Sequence, residues 1–243
     1  MTAEGHALAE QLVREMFPHA RAAWLGGSTV TGTATATSDL DITVLMTDPP
    51  APYRESLHYN GWPVELFVQT EASLEHFCAT ELRERKPSTL RLLGRSVILL
   101  DTDGSAALWR DRARRQLDEG PPPLSNRELR SARYGITDLL DDLIGATDAD
   151  ERLMIAGVLW QSTADLLLTG NRRWTGSGKY RHRELAAFDR DHGTDHAREL
   201  AHAVRSVAAG TVQPMVDTVT RALDLFGGRL FEGYRLEGPR RAH

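Results

Sequence analysis

Hydrophobic and polar positions follow one regime in the first half of this 243-residue chain and another in the second. Before about residue 117, short apolar runs with β-branched residues are interspersed with stretches of helical period. Strands are expected at 21–25 (RAAWL), which runs into Gly26-Gly27, at 40–46 (LDITVLM) and at 96–100 (SVILL). Asn60-Gly61, the preferred two-residue hairpin turn, separates SLHY from WPVELFV and predicts two further strands. Helical period predicts helices at 3–16, 71–85 and 105–117. Strands and helices mix without regular alternation, so the expected class is α+β, a mixed sheet with flanking helices.

The break falls at 118–125 (DEGPPPLS). Three successive prolines donate no backbone hydrogen bonds and exclude a helix or central strand. Beyond it the period is helical throughout. Ser125 and Glu128 form a capping-box pattern opening a helix to about residue 144, with Leu124 placed for a hydrophobic staple. Further helices are expected near 148–168 (closed by Gly170), 183–189, 195–209 and 212–226, the last two ended by Gly210 and Gly227. The chain therefore divides into 1–120, an α+β domain, and 121–243, an α-helical bundle of about five helices.

Composition narrows the class. Hydrophobic residues at 41% and charged residues at 26% are ordinary globular values. The net charge of −5 disfavours a nucleic-acid partner and leaves any anion site to a local basic patch. The single cysteine, Cys78, allows no internal disulfide and no cysteine-based zinc site. The first 20 residues read as an amphipathic helix rather than a leader, and no run suggests a membrane span. A soluble, cytoplasmic protein is expected.

The candidate chemistry lies in 25–45, LGGSTVTGTATATSDLDITVL. Asp39 and Asp41, two apart at the start of a strand, project to one face, while Leu40 and Ile42 point to the core. Paired carboxylates repel, and a hard divalent cation makes the pairing favourable. Gly27 lets a polyanion approach the backbone, and the Ser28 hydroxyl can meet phosphate oxygens. A lone Asp-Leu-Asp is commonly a solvated strand end; the same pair ten residues after a glycine-serine turn is rarer.

This segment resembles the signature of the nucleotidyltransferase superfamily that includes DNA polymerase beta. Gly27 and Ser28 match its phosphate-binding turn, Asp39 and Asp41 its metal-binding pair, and Glu65 in PVELFV the acid of a later strand. The resemblance implies two Mg2+ ions held by Asp39, Asp41 and Glu65, and ATP as the nucleotide substrate. It further implies in-line attack of an acceptor oxygen on the α-phosphorus, with pyrophosphate leaving. Glu65 is alternatively the general base.

In the second half, RRWTGSGKYRHREL contains Gly178-Lys179 but lacks the glycine and the Ser/Thr of a Walker A loop, having Arg173 and Tyr180 instead. It is similar to a Lys-Trp/Tyr-x-x-Arg-x-Leu pattern of small-molecule nucleotidyltransferases, with Lys179, Tyr180, Arg183 and Leu185 in place. Lys179 and then Arg183 are the candidate triphosphate contacts; a solvated basic loop is the plainer reading of either. The arrangement also resembles the kanamycin, streptomycin/spectinomycin and lincosamide enzymes, whose helical domain closes over the acceptor. Asp142, Trp160 and Asp165 are candidate acceptor contacts, although Asp138, Asp141 and Asp142 also read as a solvated stripe and Trp160 as core.

Three other features carry no site. Gly193 and Thr194 break the helix between His192 and His196, Asp101–Gly104 (DTDG) lacks the downstream Glu of a calcium loop, and Cys78 reads as core. The leading expectation is transfer of AMP from ATP to a hydroxyl of a small, aminoglycoside-like acceptor. Two alternatives stand beside it: an antitoxin-type minimal nucleotidyltransferase that AMPylates a protein, and a non-catalytic nucleotide-binding module.

Overall fold

The β-branched runs and the Asn60-Gly61 turn build a sheet, and the longer periods build the helices around it. The structure, a computed structural model, describes residues 3–35 and 37–238; Ala36, three residues before Asp39, lies outside the described residues. The chain separates into two compact units, Met1–Pro121 and Pro122–His243. The first contains α1 (Ala3–Met16), β1 (Ala22–Gly26), α2 (Gly27–Thr31), β2 (Leu40–Leu45), β3 (Tyr53–Tyr59) and β4 (Trp62–Gln69). It continues with α3 (Glu71–Glu84), α4 (Ser88–Gly94), β5 (Val97–Asp101) and α5 (Ser105–Glu119).

The strands form one mixed sheet in the order β3-β4-β2-β1-β5, with β2 and β4 parallel. The remaining neighbours are antiparallel. Asn60 and Gly61 both have positive φ (47° and 84°), as the tight turn between β3 and β4 requires. That turn fixes the hairpin register from Tyr59↔Trp62 down to Ser56↔Glu65 and Arg54↔Phe67. One face of the sheet is apolar: Leu25, Leu40, Ile42, Val44, Val64 and Leu66 pack with Leu12 and Val13 of α1 and with Phe17 just beyond it. On the other face the buried Trp24 indole donates to the carbonyl of Ala106 in α5, 3.1 Å away. Farther along that face lie Asp41 and its direct parallel neighbour Glu65.

Two short helices escape the sequence pattern. The glycine-serine segment expected as a turn is α2, a helix of 5 residues. Helix α4 has no side-chain cap of its own; Glu81 of α3 accepts from the backbone N–H groups of Thr89 (2.6 Å) and Leu90 (3.0 Å) instead. Burial pushes the Glu81 carboxyl above its usual range, and those N–H groups oppose the shift. Cys78, also buried in α3, has its thiol pushed up to about 12, chiefly by desolvation.

The second unit is helical: α6 (Asn126–Gly145), α7 (Ala149–Gly170), α8 (Lys179–His192), α9 (His196–Ala208) and α10 (Gln213–Asp224). Their core includes Leu140, Leu143, Leu159, Leu167, Leu200 and Val219. The Ser125–Glu128 capping box is present, and Asp148 caps α7. Gly170 is the last residue of α7 rather than the residue beyond it, and a side chain there would overlap the Phe226 ring. Helix α7 is the one described helix long and apolar enough to cross a membrane by composition, which the sequence reading did not expect. Its Ala156, Leu159, Ala164 and Leu166–Leu168 belong to the core of the helical unit.

Candidate active site

The central feature is built by backbone register. Parallel pairing sets Asp41 directly beside Glu65, and Asp39 precedes Asp41 by two residues. One carboxylate oxygen from each of Asp39, Asp41 and Glu65 lies within 4.8 Å of the others, and all three residues are half-buried. Full charges at that spacing repel by about 1 kcal/mol per pair even in water. Such an arrangement is unfavourable by itself and favourable around a cation.

Gly26, at the end of β1, pairs with Asp41, which brings Gly27 against the carboxylate. Gly27 has φ +72°, and a Cβ there would overlap Asp41 Oδ2. A glycine is therefore required twice over, by backbone conformation and by the space that Asp41 fills. Ser28 is buried, and its hydroxyl donates to Ser38 Oγ at 3.0 Å, which in turn accepts from the Thr35 N–H at 2.8 Å. These bonds tie the start of α2 to the residue before Asp39.

The donor set is all oxygen, three carboxylates on adjoining backbone segments, and Gly27 leaves room for the Asp41 carboxylate. This is the chemistry of a hard divalent cation such as Mg2+, and the residues fit it. Arg54 on β3 was not singled out from the sequence. Its Nη2 donates to both Glu65 oxygens, at 2.6 and 2.7 Å. The hairpin register set by Asn60-Gly61 was the available signal, because it places residue 54 one diagonal step from residue 65.

The helical unit treats its predicted residues differently. Lys179 is exposed at the start of α8, not in a loop, and Arg183 is half-buried one turn on. Lys179 Nζ and Arg183 Cζ lie 5.7 and 5.6 Å from the Tyr180 ring centroid. Asp142 is exposed, as are Asp138 and Asp141, and Asp141 pairs with Arg229. Trp160 is partly buried against the helical core, with His182 stacked 6.5 Å away.

Asp165 is engaged within its own unit. It accepts from Arg181 Nε at 2.8 Å and Nη2 at 3.2 Å, and from the Thr175 hydroxyl. Arg181 is buried and also donates to Gln161 at 3.0 Å. The sequence reading missed Arg181 because a buried arginine scores as polar in a periodicity count. The same effect started α8 at residue 183 rather than Lys179. Between His192 and His196 the chain leaves the helix at Gly193, and Asp189 caps α9 through the N–H groups of His196 and Ala197. Asp101 likewise accepts from Gly104, Ala106 and Ala107, so DTDG is a helix-capping turn.

Comparison with known proteins follows the same division. Residues 8–87, the stretch holding Gly27, Ser28, Asp39, Asp41 and Glu65, match the family described as nucleotidyltransferase domain. No curated protein matches the sequence. Among solved structures, one similar chain is a nucleotidyltransferase-like protein from Exiguobacterium sibiricum 255-15, at TM-score 0.45 and 10% identity over 91% of this chain and 73% of that one. Another is the spectinomycin adenyltransferase AAD(9) from Enterococcus faecialis, solved with ATP and spectinomycin, at TM-score 0.35 and 14% identity over 93% and 99%. A toxin–antitoxin structure with AMP-PNP matches at TM-score 0.29 and 18% identity over 47% of this chain and 87% of that one. All three are remote likenesses.

Proposed function

From the premise that the N-terminal unit is a nucleotidyltransferase domain, we propose that the protein transfers AMP from ATP to a hydroxyl of a small molecule. An aminoglycoside-like antibiotic is the first acceptor class to test. The observation that carries the reading is the convergence of Asp39, Asp41 and Glu65 within 4.8 Å, opposite a glycine whose absent side chain Asp41 replaces. Asp39, Asp41 and Glu65 would hold two Mg2+ ions, which when bound supply charge neutralisation for the triphosphate and the leaving pyrophosphate.

The chain's own residues do the positioning. Gly27 lets the Asp41 carboxylate lie against the backbone, and the Ser28 hydroxyl, which donates to Ser38, would turn with nearby N–H groups to orient phosphate oxygens. The acceptor oxygen forms a bond to the α-phosphorus while the bond to the β-phosphate oxygen breaks, and the hydroxyl proton leaves to a base. Glu65 is a candidate for that base as well as for a ligand. Lys179 and Arg183 are assigned to the triphosphate, and Asp142 and Trp160 to the acceptor, on the resemblance of their motif and arrangement. Asp165 is the weakest of these assignments, since Arg181 and Thr175 already engage it. The setting that suits such chemistry is a cytoplasm rich in ATP and Mg2+, and its consequence would be antibiotic resistance.

Mass spectrometry tests this directly. Incubation with ATP, Mg2+ and a panel of aminoglycoside, aminocyclitol and lincosamide compounds is expected to add one AMP to at least one compound, with pyrophosphate released. An AMP adduct on a co-purified protein instead would replace the small acceptor with a protein one. Nucleotide binding with no turnover on any acceptor would favour a binding module.

A further inference from the structure

Glu65 does not face the other two carboxylates alone. Both its oxygens accept from a single nitrogen, Arg54 Nη2, at 2.6 and 2.7 Å. Arg54 lies on β3, the edge strand, directly opposite Phe67 and one step from Glu65 on the same face. Its guanidinium carbon sits 5.1 Å from the Phe67 ring centroid, so the side chain is held by a ring as well as by a carboxylate. The pair is nevertheless at the rim: the Arg54 side chain is 61% exposed and that of Glu65 24%. An ion pair so exposed is worth about 1 kcal/mol or less, and a divalent cation can displace it.

Resting on the reading of the three carboxylates as a metal site, we propose that Arg54 is a latch on Glu65. The guanidinium engages both oxygens of that carboxylate. A cation at Glu65 competes with the guanidinium for those oxygens and meets its positive charge, so Arg54 sets the metal affinity of the site from outside it. The latch also offsets the repulsion among the three acids while no ion is present. Its charge and its grip on Glu65 both act against a weakly held cation.

The test is Mn2+ binding to the full chain without nucleotide, followed by the electron paramagnetic resonance signal of free Mn2+. Arg54→Gln is expected to bind Mn2+ roughly tenfold more tightly, the effect of removing one charge a few ångströms from a divalent ion at water-like screening. Arg54→Lys, which keeps the charge on a single point donor, should fall between the two. In a Glu65→Gln background the Arg54→Gln change should have a smaller effect, because the latched carboxylate is gone. Thermal melting of each variant confirms that the exposed edge strand still folds.

Equal or weaker Mn2+ binding in Arg54→Gln overturns the latch, and so does an undiminished effect in the Glu65→Gln background. If the wild type binds Mn2+ and Asp41→Asn does not, the metal site stands whatever Arg54 does. If neither the wild type nor Arg54→Gln binds Mn2+, the metal site and the latch fall together.

Discussion

Both units carry acidic residues at conspicuous positions, and the two sets are used in opposite ways. In the first unit, three half-buried carboxylates are brought together by strand pairing, where their charges oppose one another. In the second, Asp165 and Asp189 are each surrounded by donors: Arg181 and Thr175 for one, Thr194 and the N terminus of α9 for the other. An acid surrounded by donors stabilises its fold. Acids set beside one another repel, a cost that a bound cation would relieve and that Arg54 relieves in part at Glu65. Acidic residues read alike in a sequence, and the partners supplied by the fold separate them.

The comparison is broken most sharply at Asp41. Replacement by Asn should lower nucleotidyl transfer by at least about a hundredfold, the scale of losing one preorganised charge from an active site. Thermal stability should stay close to that of the wild type, because Asn keeps the shape of Asp. A falling melting temperature with activity kept would mean that Asp41 belongs to the structural set.

Asp165 should behave in the reverse way. Asp165→Ala leaves the buried Arg181 without its main acceptor and is expected to cost about 2 kcal/mol, read from denaturant unfolding. Activity per folded molecule should change little. An unchanged stability with a raised KM for the acceptor would move Asp165 to the ligand-facing set.

The smallest expected effect is at Lys179, exposed beside Tyr180. Lys179→Ala should weaken ATP binding by roughly fivefold, as for a single exposed charge contact, and leave the melting temperature unchanged. Identical ATP affinity in this variant would remove Lys179 from the nucleotide site.

Legibility followed the same line. Local rules were readable: the Asn60-Gly61 turn, the Ser125–Glu128 capping box, the break at Gly193 and the same-face spacing of Asp39 and Asp41 all appear in the structure. What escaped lies outside the short windows that local patterns cover. Helix α4 is capped by Glu81 from the preceding helix, beyond the few residues that a local capping pattern spans. Arg181 is buried because Asp165 and Gln161 receive it, so its burial cannot be inferred from residue type. Arg54 was within reach, since the hairpin turn dictates the register that sets it near Glu65. The α2 helix was read as a turn because five residues of Gly, Ser, Thr and Val carry no helical period.

The central claim is that Asp39, Asp41 and Glu65 together hold the metal through which nucleotide is bound. Equilibrium binding of ATP, measured in Mg2+ and again in excess EDTA, addresses it most directly with the wild type, Asp39→Asn and Asp41→Asn side by side. Tight binding by the wild type in Mg2+, lost in EDTA and lost in both variants despite native melting curves, is the predicted result. ATP affinity that is the same in EDTA, or the same in Asp41→Asn as in the wild type, would contradict it.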